Sequence, residues 1–194
     1  VESNEEEIIN LICYEGKRIA YDAITEVREA VDFLRFYAAE AEKLFTPKEP
    51  QKGYTGEKSV LEYRAKGVFA AISPWNFPAA IFIGQIAAAL VTGNAVIAKP
   101  AEQTPMVAKY LVELLHKCGV PQEILHLIIG KGSEVGNQIT KHPEIRGVLF
   151  TGSTNTANII NTTLAERDNR PIATLVAETG GQNCMIVDST ALLE

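Results

Sequence analysis

The sequence predicts an α/β fold built on an open parallel sheet with helices on both faces, preceded by a long amphipathic helix and a short outlying strand. Short, continuously apolar runs such as 68–72 and 95–98 read as strands buried on both faces. They alternate with helix-length segments closed by glycine, at Gly93 and Gly119. Each run ends in a polar or glycine-rich turn, and ligands of such sheets bind outside the carboxyl ends of the strands.

Taken in order, the acidic run from Glu2 to Glu7 reads as a solvated terminus or a first helical turn. Ile24, Val27, Val31, Leu34, Ala38, Ala41 and Phe45 recur at steps of three and four, which defines the long helix, ending at Thr46-Pro47. Residues 48–57 form a loop rich in Pro, Gly and Lys, and 59–64 form the outlying strand, with Val60, Leu61 and Tyr63 as its bulk. The strand 68–72 then leads to a helix over 79–91 and a second strand over 95–98. Thr104 as N-cap and Pro105 at the first helical position open a helix that runs to Cys118. A strand over 124–129, a short helix over 134–140, a strand over 148–150 and a helix to about Ala165 follow. The fifth strand is expected at 172–177, and 184–187 reads as the start of a further buried strand.

At 194 residues, 46% hydrophobic and 22% charged, the chain has the composition of about one globular domain. A net charge of −6 without any Lys/Arg cluster argues against a nucleic-acid-binding face. No signal peptide is visible, and the apolar stretch 79–90, interrupted by Gly84 and Gln85, is too short to span a bilayer. Cys13, Cys118 and Cys184 are odd in number and lack metal-type spacing, which fits a reducing, cytoplasmic setting. His116, His126 and His142 form no ligand motif, so no metal site is expected.

The most informative segment is Ile72-Ser73-Pro74-Trp75-Asn76-Phe77-Pro78. Its prolines fix φ and restrict the residue before each, so the turn is stiff and Asn76 has a defined direction. A held carboxamide is a good donor to a carbonyl oxygen becoming an oxyanion; equally, Asn76 could cap the following helix. Lys99 and Glu102 follow a strand on a turn opened by Pro100, so neither needs to be a core residue. They could bind ribose hydroxyls, with Glu102 repelling a 2′-phosphate, or be no more than a surface ion pair or a helix-dipole acid.

Gly130-Lys131-Gly132-Ser133-Glu134-Val135-Gly136 invites a dinucleotide reading, but its last spacing is one residue too long. Thr151-Gly152-Ser153-Thr154 opens a helix and could hold a pyrophosphate or serve as an unliganded N-cap. Glu178, at a partly desolvated strand end, could be a general base or a hydrogen-bonded loop acid. Cys184 is set aside as a nucleophile because it begins an apparently buried strand; Cys13 and Cys118 are no better placed.

The order of these segments, with Glu178-Thr179-Gly180-Gly181 after Phe150-Thr151-Gly152-Ser153-Thr154, resembles the NAD(P)-dependent aldehyde dehydrogenase superfamily across nearly the whole chain. The wording of 177–183, 101–105 and 26–35 is similar to the L-glutamate γ-semialdehyde (1-pyrroline-5-carboxylate) dehydrogenase domain of bacterial bifunctional proline utilisation flavoproteins. The resemblance implies a Rossmann-like NAD-binding domain over 67–181, after a helical and hairpin segment over 1–66 and before a linker beginning at 182–194. It implies Asn76 in the oxyanion hole and Glu178 as the base that activates water. Ile72, Ser73, Pro74, Trp75, Lys99, Glu102, Gly132, Gly136, Phe150, Thr151, Gly152, Ser153, Thr179 and Gly180 would bind NAD.

By the same resemblance Phe77 walls the aldehyde tunnel and Glu29 meets the substrate's amine. Ala157 stands where the family often has Gly, although the proline-utilisation branch is similar to this sequence there. The family's nucleophilic Cys lies well beyond the Glu-Thr-Gly-Gly segment, and this sequence runs only sixteen residues past Glu178. A catalytic domain further along the chain, fusion to a flavin-dependent proline dehydrogenase and a homo-oligomeric parent are therefore implied, with this segment alone catalytically incomplete.

Overall fold

Glu5, Glu6 and Glu7 lie in the first turn of helix α1 (Glu5–Gly16), where they meet the positive end of its dipole. Lys17, in the left-handed region at φ 55°, ends that helix and turns the chain into α2 (Ala20–Phe45). The structure is a computed structural model that describes residues 1–46, 51–168, 170–181 and 184–191. Pro47, part of the expected loop at 48–57, and Gln182 and Asn183 of the Glu-Thr-Gly-Gly-Gln-Asn wording lie outside the described residues.

Strands β1 (Gln51–Lys52) and β2 (Lys58–Ser59) form a two-stranded antiparallel hairpin. The expected strand over 59–64 is formed only at Ser59: residues 60–64 are in no strand, and Val60, Leu61 and Tyr63 are exposed. From β3 (Val68–Ile72) the chain alternates through α3 (Ala80–Val91), β4 (Ala95–Lys99), α4 (Pro105–Lys117) and β5 (Leu125–Leu127). Gly93 and Gly119, at φ 81° and 101°, supply the left-handed residues that end α3 and α4. A wide, π-type turn over Gly132–Gly136 runs into α5 (Asn137–Lys141), where the sequence reads as one helix from 134. Strand β6 (Ile145–Gly152), helix α6 (Thr154–Ala165) and strand β7 (Thr174–Thr179) complete the alternation.

Among the described residues the parallel sheet has the order β5-β4-β3-β6-β7. The chain moves outward from β3 to β5, then returns to the other side of β3, so the topology switches between β3 and β6. At that point Ile72 pairs in register with both Lys99 and Phe150, and Thr151 pairs with Glu178. β6 is longer than its apolar centre at 148–150 because it is laddered on both sides, to β3 and β7.

The strand period of two sends alternate residues to opposite faces, and both faces are apolar. Phe69, Ala71, Val96 and Ala98 join Ile8, Ile12, Val27, Phe82, Ile83 and Leu111 on the face covered by α1 to α4. Ala70, Val148 and Phe150 join Ile139, Ile145 and Ile160 on the face covered by α5 and α6. Gly84 lets α2 close on α3; a Cβ there would stand 3.1 Å from the Phe33 ring.

The last part of the sheet departs from expectation. β7 begins two residues later than predicted, and Ile172 is 98% exposed outside it. Residues 184–187 form no strand, and Cys184, Met185, Ile186 and Val187 are exposed. An apolar run becomes a buried strand only against a neighbouring ladder, and among the described residues β7 is the sheet's outer strand.

Candidate active site

The turn after β3 is fixed at its start by the sheet: the Ser73 N–H donates to the Lys99 carbonyl at 3.1 Å. The buried Ser73 hydroxyl meets Gln85 Oε1 at 2.8 Å, and Gln85 Nε2 donates to Thr151 Oγ1 at 3.1 Å. Gln85 on α3 therefore links the ends of β3 and β6 across the switch point. Asn76 is exposed, and among the described residues no hydrogen bond engages its carboxamide. It does not cap α3.

That cap comes from α2. Glu26 Oε1 accepts from the N–H groups of Ala79 (2.7 Å) and Ala80 (3.3 Å), the first amides of α3. Glu26 is 1% exposed, and its second oxygen faces Arg18 Nε at 3.6 Å. The Arg18 guanidinium donates to the Asn76 carbonyl and lies 4.4 Å from the centre of the Phe77 ring. Burial pushes the Glu26 carboxyl above the usual carboxylate range, while the two amides and Arg18 pull it back in part.

Beside the turn, a cavity of about 330 Å³ opens at the carboxyl ends of β3 and β4, between the 132–137 turn and α6. Ile72, Lys99, Gly132, Gly136, Thr156 and Ile160 are among its lining. Lys99 is only 3% exposed, contrary to the reading that it need not be a core residue. Its Nζ donates to the Pro100 carbonyl at 2.8 Å. Burial lowers the Lys99 pKa, and the Glu102 charge raises it again in part. Among the described residues Glu102 forms no ion pair within 4 Å; its Oε2 accepts from the Gly132 N–H at 3.3 Å. A Cβ added at Gly132 or Gly136 would meet nothing within 4 Å, so both bare backbones face open space.

A second cavity of about 290 Å³ lies toward α2 and α3 and holds Phe150, Thr151, Glu178 and Gln85, with Phe33 and Tyr37 from α2. Glu178 is exposed there, so the desolvation expected of it at a strand end is not found: no helix or strand beyond β7 covers that position among the described residues. Ser153 is the N-cap of α6 and accepts from the Thr156 N–H at 3.2 Å. Gly152 sits against the Phe150 ring, where a Cβ would approach to 2.6 Å. Pro74 is half-buried, whereas Trp75, Thr179 and Gly180 are exposed; none of them lines either cavity. Glu29 is on the exposed side of α2; its neighbour Glu26 is the acid that reaches the turn.

Thr104 is a second correction. It occupies the N-cap position of α4 but its hydroxyl is buried without a partner. Glu15 of α1 caps that helix, accepting from Met106 N (2.9 Å) and Val107 N (2.9 Å). Cys184, exposed and outside any strand, is not inert by burial, so the reason for setting it aside fails.

Sequence reasoning missed Arg18, Glu15, Glu26 and Gln85. Glu26 carried a signal: it falls three residues after Ala23 and four before Ala30, inside the apolar stripe. Gln85 interrupts an otherwise apolar helix, which is a signal of the same kind.

The model of the aldehyde dehydrogenase family matches residues 1–194. The chain belongs to that family. Over its whole length it is 45% identical to the bifunctional protein PutA of Escherichia coli K12, of which it spans 14%. A solved structure of a mutant of proline utilization A (PutA) from Bradyrhizobium japonicum matches with a TM-score of 0.90 and 52% identity, over 93% of this chain and 18% of that one. The 1-pyrroline-5-carboxylate dehydrogenase from Thermus, solved with bound NAD, matches with a TM-score of 0.89 and 33% identity, over 93% of this chain and 36% of that one. Among the described residues no helix is long and apolar enough to cross a membrane.

Proposed function

We propose that this chain supplies the cofactor-binding part and the oxyanion-hole side chain of a cytoplasmic, NAD-dependent dehydrogenase that oxidises L-glutamate γ-semialdehyde to L-glutamate in proline catabolism. The observation that carries the reading is the cavity at the switch point, where Ile72, Lys99, Gly132 and Gly136 converge from three separate segments. The likeness to PutA and to the Thermus enzyme supports the substrate.

NAD would supply the acceptor for the two electrons leaving the aldehyde carbon. The two glycines fit it, since their bare backbones leave room for a nucleoside against the turn. Lys99 would donate to ribose hydroxyls and Glu102 would accept from them, its charge disfavouring a 2′-phosphate. Trp75, Ser73, Pro74, Phe150, Thr151, Gly152, Ser153, Thr179 and Gly180 would line the rest of the groove.

Asn76, whose amide is free, would donate to the aldehyde oxygen as it gains charge. Glu178 would take a proton from the water that releases the product. Phe77 would wall the aldehyde tunnel, and Glu29 would meet the substrate's amine. The nucleophile, on the family's pattern, lies beyond Glu194, in a homo-oligomeric parent fused to a flavin-dependent proline dehydrogenase.

Calorimetric titration of the folded chain tests the cofactor reading. NAD should bind, NADP more weakly, and Lys99→Ala should weaken NAD by about tenfold or more, the loss of a charge-assisted hydrogen bond. No binding of NAD by the folded wild-type chain overturns it. Assays of the full-length enzyme on an aldehyde panel test the substrate, where a higher kcat/KM for an aldehyde lacking the amino acid group would displace this semialdehyde.

A further inference from the structure

The geometry points to Arg18 and Glu26 as positioning residues for Asn76: they hold the 73–78 turn so that its free carboxamide keeps the direction an oxyanion donor needs. This rests on the proposed function, which makes Asn76 that donor.

An oxyanion donor acts only if it is already in place when charge develops, so the backbone that carries it must be fixed. The prolines stiffen the 73–78 turn internally, but they do not tie it to the rest of the molecule. Its start is tied by the Ser73 bonds to Lys99 and Gln85. Its other end is tied by α2. Glu26 takes the Ala79 and Ala80 amides just after Pro78, and Arg18 takes the carbonyl of Asn76 itself.

Fixing that carbonyl fixes the orientation of the residue's own peptide, and with it the Cα–Cβ direction from which the amide projects. The Arg18 guanidinium also covers one face of Phe77, the next residue. Arg18 is in turn placed by the bend at Lys17, where the left-handed residue ends α1, and by Glu26 and Asp22 on α2 at 3.6 and 3.9 Å. These contacts meet at a turn where, among the described residues, the Asn76 side chain has no hydrogen bond. A helix cap alone would not need Arg18, because Glu26 already serves both amides.

A double-mutant cycle in the full-length dehydrogenase separates positioning from plain support. Arg18→Met, which keeps the bulk and loses the donors, should lower kcat about ten- to a hundredfold, the cost of a misplaced catalytic group. The KM for NAD should stay within about twofold, since Arg18 lines no part of the Lys99 cavity. Asn76→Ala should lower kcat at least as much, and adding Arg18→Met to it should cost little more, because Arg18 acts through Asn76. Arg18→Lys, which restores the charge, should recover part of the loss.

Should Arg18→Met fail to fold, Glu26→Gln takes its place, since an amide oxygen still serves Ala79 and Ala80 while the charge facing Arg18 is gone. Losses that multiply in the double mutant, or an Arg18→Met enzyme with wild-type kcat, overturn the proposal. An Asn76→Ala enzyme with wild-type kcat overturns the oxyanion reading itself, and the proposal falls with it.

Discussion

The turn that carries Asn76 and the strand that carries Glu178 project from the same sheet, yet their surroundings are opposite. Around Asn76 the backbone is bonded to β4, to α2 and to Arg18 in the bend before α2, and the flanking Ala79 and Ala80 are fully buried. Around Glu178 the strand is laddered on one side only, and Val176, two residues before it, is 51% exposed. The difference lies in the order of neighbours. β3 is the centre of the sheet and meets both β4 and β6, whereas among the described residues β7 meets β6 alone. The Asn76 turn is thus held by several elements, whereas among the described residues the Glu178 end of its strand is held by one.

The sharpest way to break that comparison is to remove its main anchor. Glu26→Ala leaves two buried amides without their acceptor and Arg18 without the carboxylate that faces it, and should cost about 2–4 kcal/mol in urea denaturation. The pH dependence has a defined sign. Because burial raises the Glu26 pKa, the folded state holds a proton that the unfolded state has released. Stability therefore falls as pH climbs from the ordinary carboxylate range through the raised value, and the full cost of the buried charge is present above it. Glu26→Gln should flatten that slope.

A smaller effect concerns the second long-range cap. Glu15→Ala should cost about 1 kcal/mol by unpairing Met106 N and Val107 N. Thr104→Val, at the formal cap position, should leave the thermal midpoint unchanged or raise it, because its buried hydroxyl has no partner to lose. A loss of a kilocalorie in Thr104→Val would restore the local-cap reading. Lys99→Met should raise stability by up to about 1 kcal/mol, since it removes a desolvated charge, while weakening NAD binding by about tenfold or more, as Lys99→Ala does. Smallest of all, Glu178→Ala should shift the unfolding free energy by less than about 0.5 kcal/mol, as expected at an exposed site. A loss matching that of Glu26→Ala would end the contrast.

The elements nearest the sheet centre were the most legible in the sequence. Val68–Ile72 forms a strand over the residues read from the apolar run, and Gly93 and Gly119 end the helices where expected. Legibility fails in two ways. Exposure of Ile172, Met185 and Ile186 could not be read, because an apolar run reports preference for burial and not whether a neighbour is there to provide it. The caps of α3 and α4 could not be read either. Asn76 and Thr104 were the local candidates, and carboxylates on α2 and α1 hold those amides instead.

The sequence by itself determined the alternation of strands and helices, the two apolar faces of the sheet and the turns at the carboxyl ends of its central strands. Those follow from local periodicity and from residues that restrict their own backbone, so they need no knowledge of distant partners. Only the tertiary structure decided that Lys99 is buried, that Glu102 holds Gly132, and that Arg18 and Glu26 reach across more than fifty residues of sequence to the Asn76 turn. A buried donor must find an acceptor wherever the packing of whole helices brings one, and that choice is made in space and not along the chain.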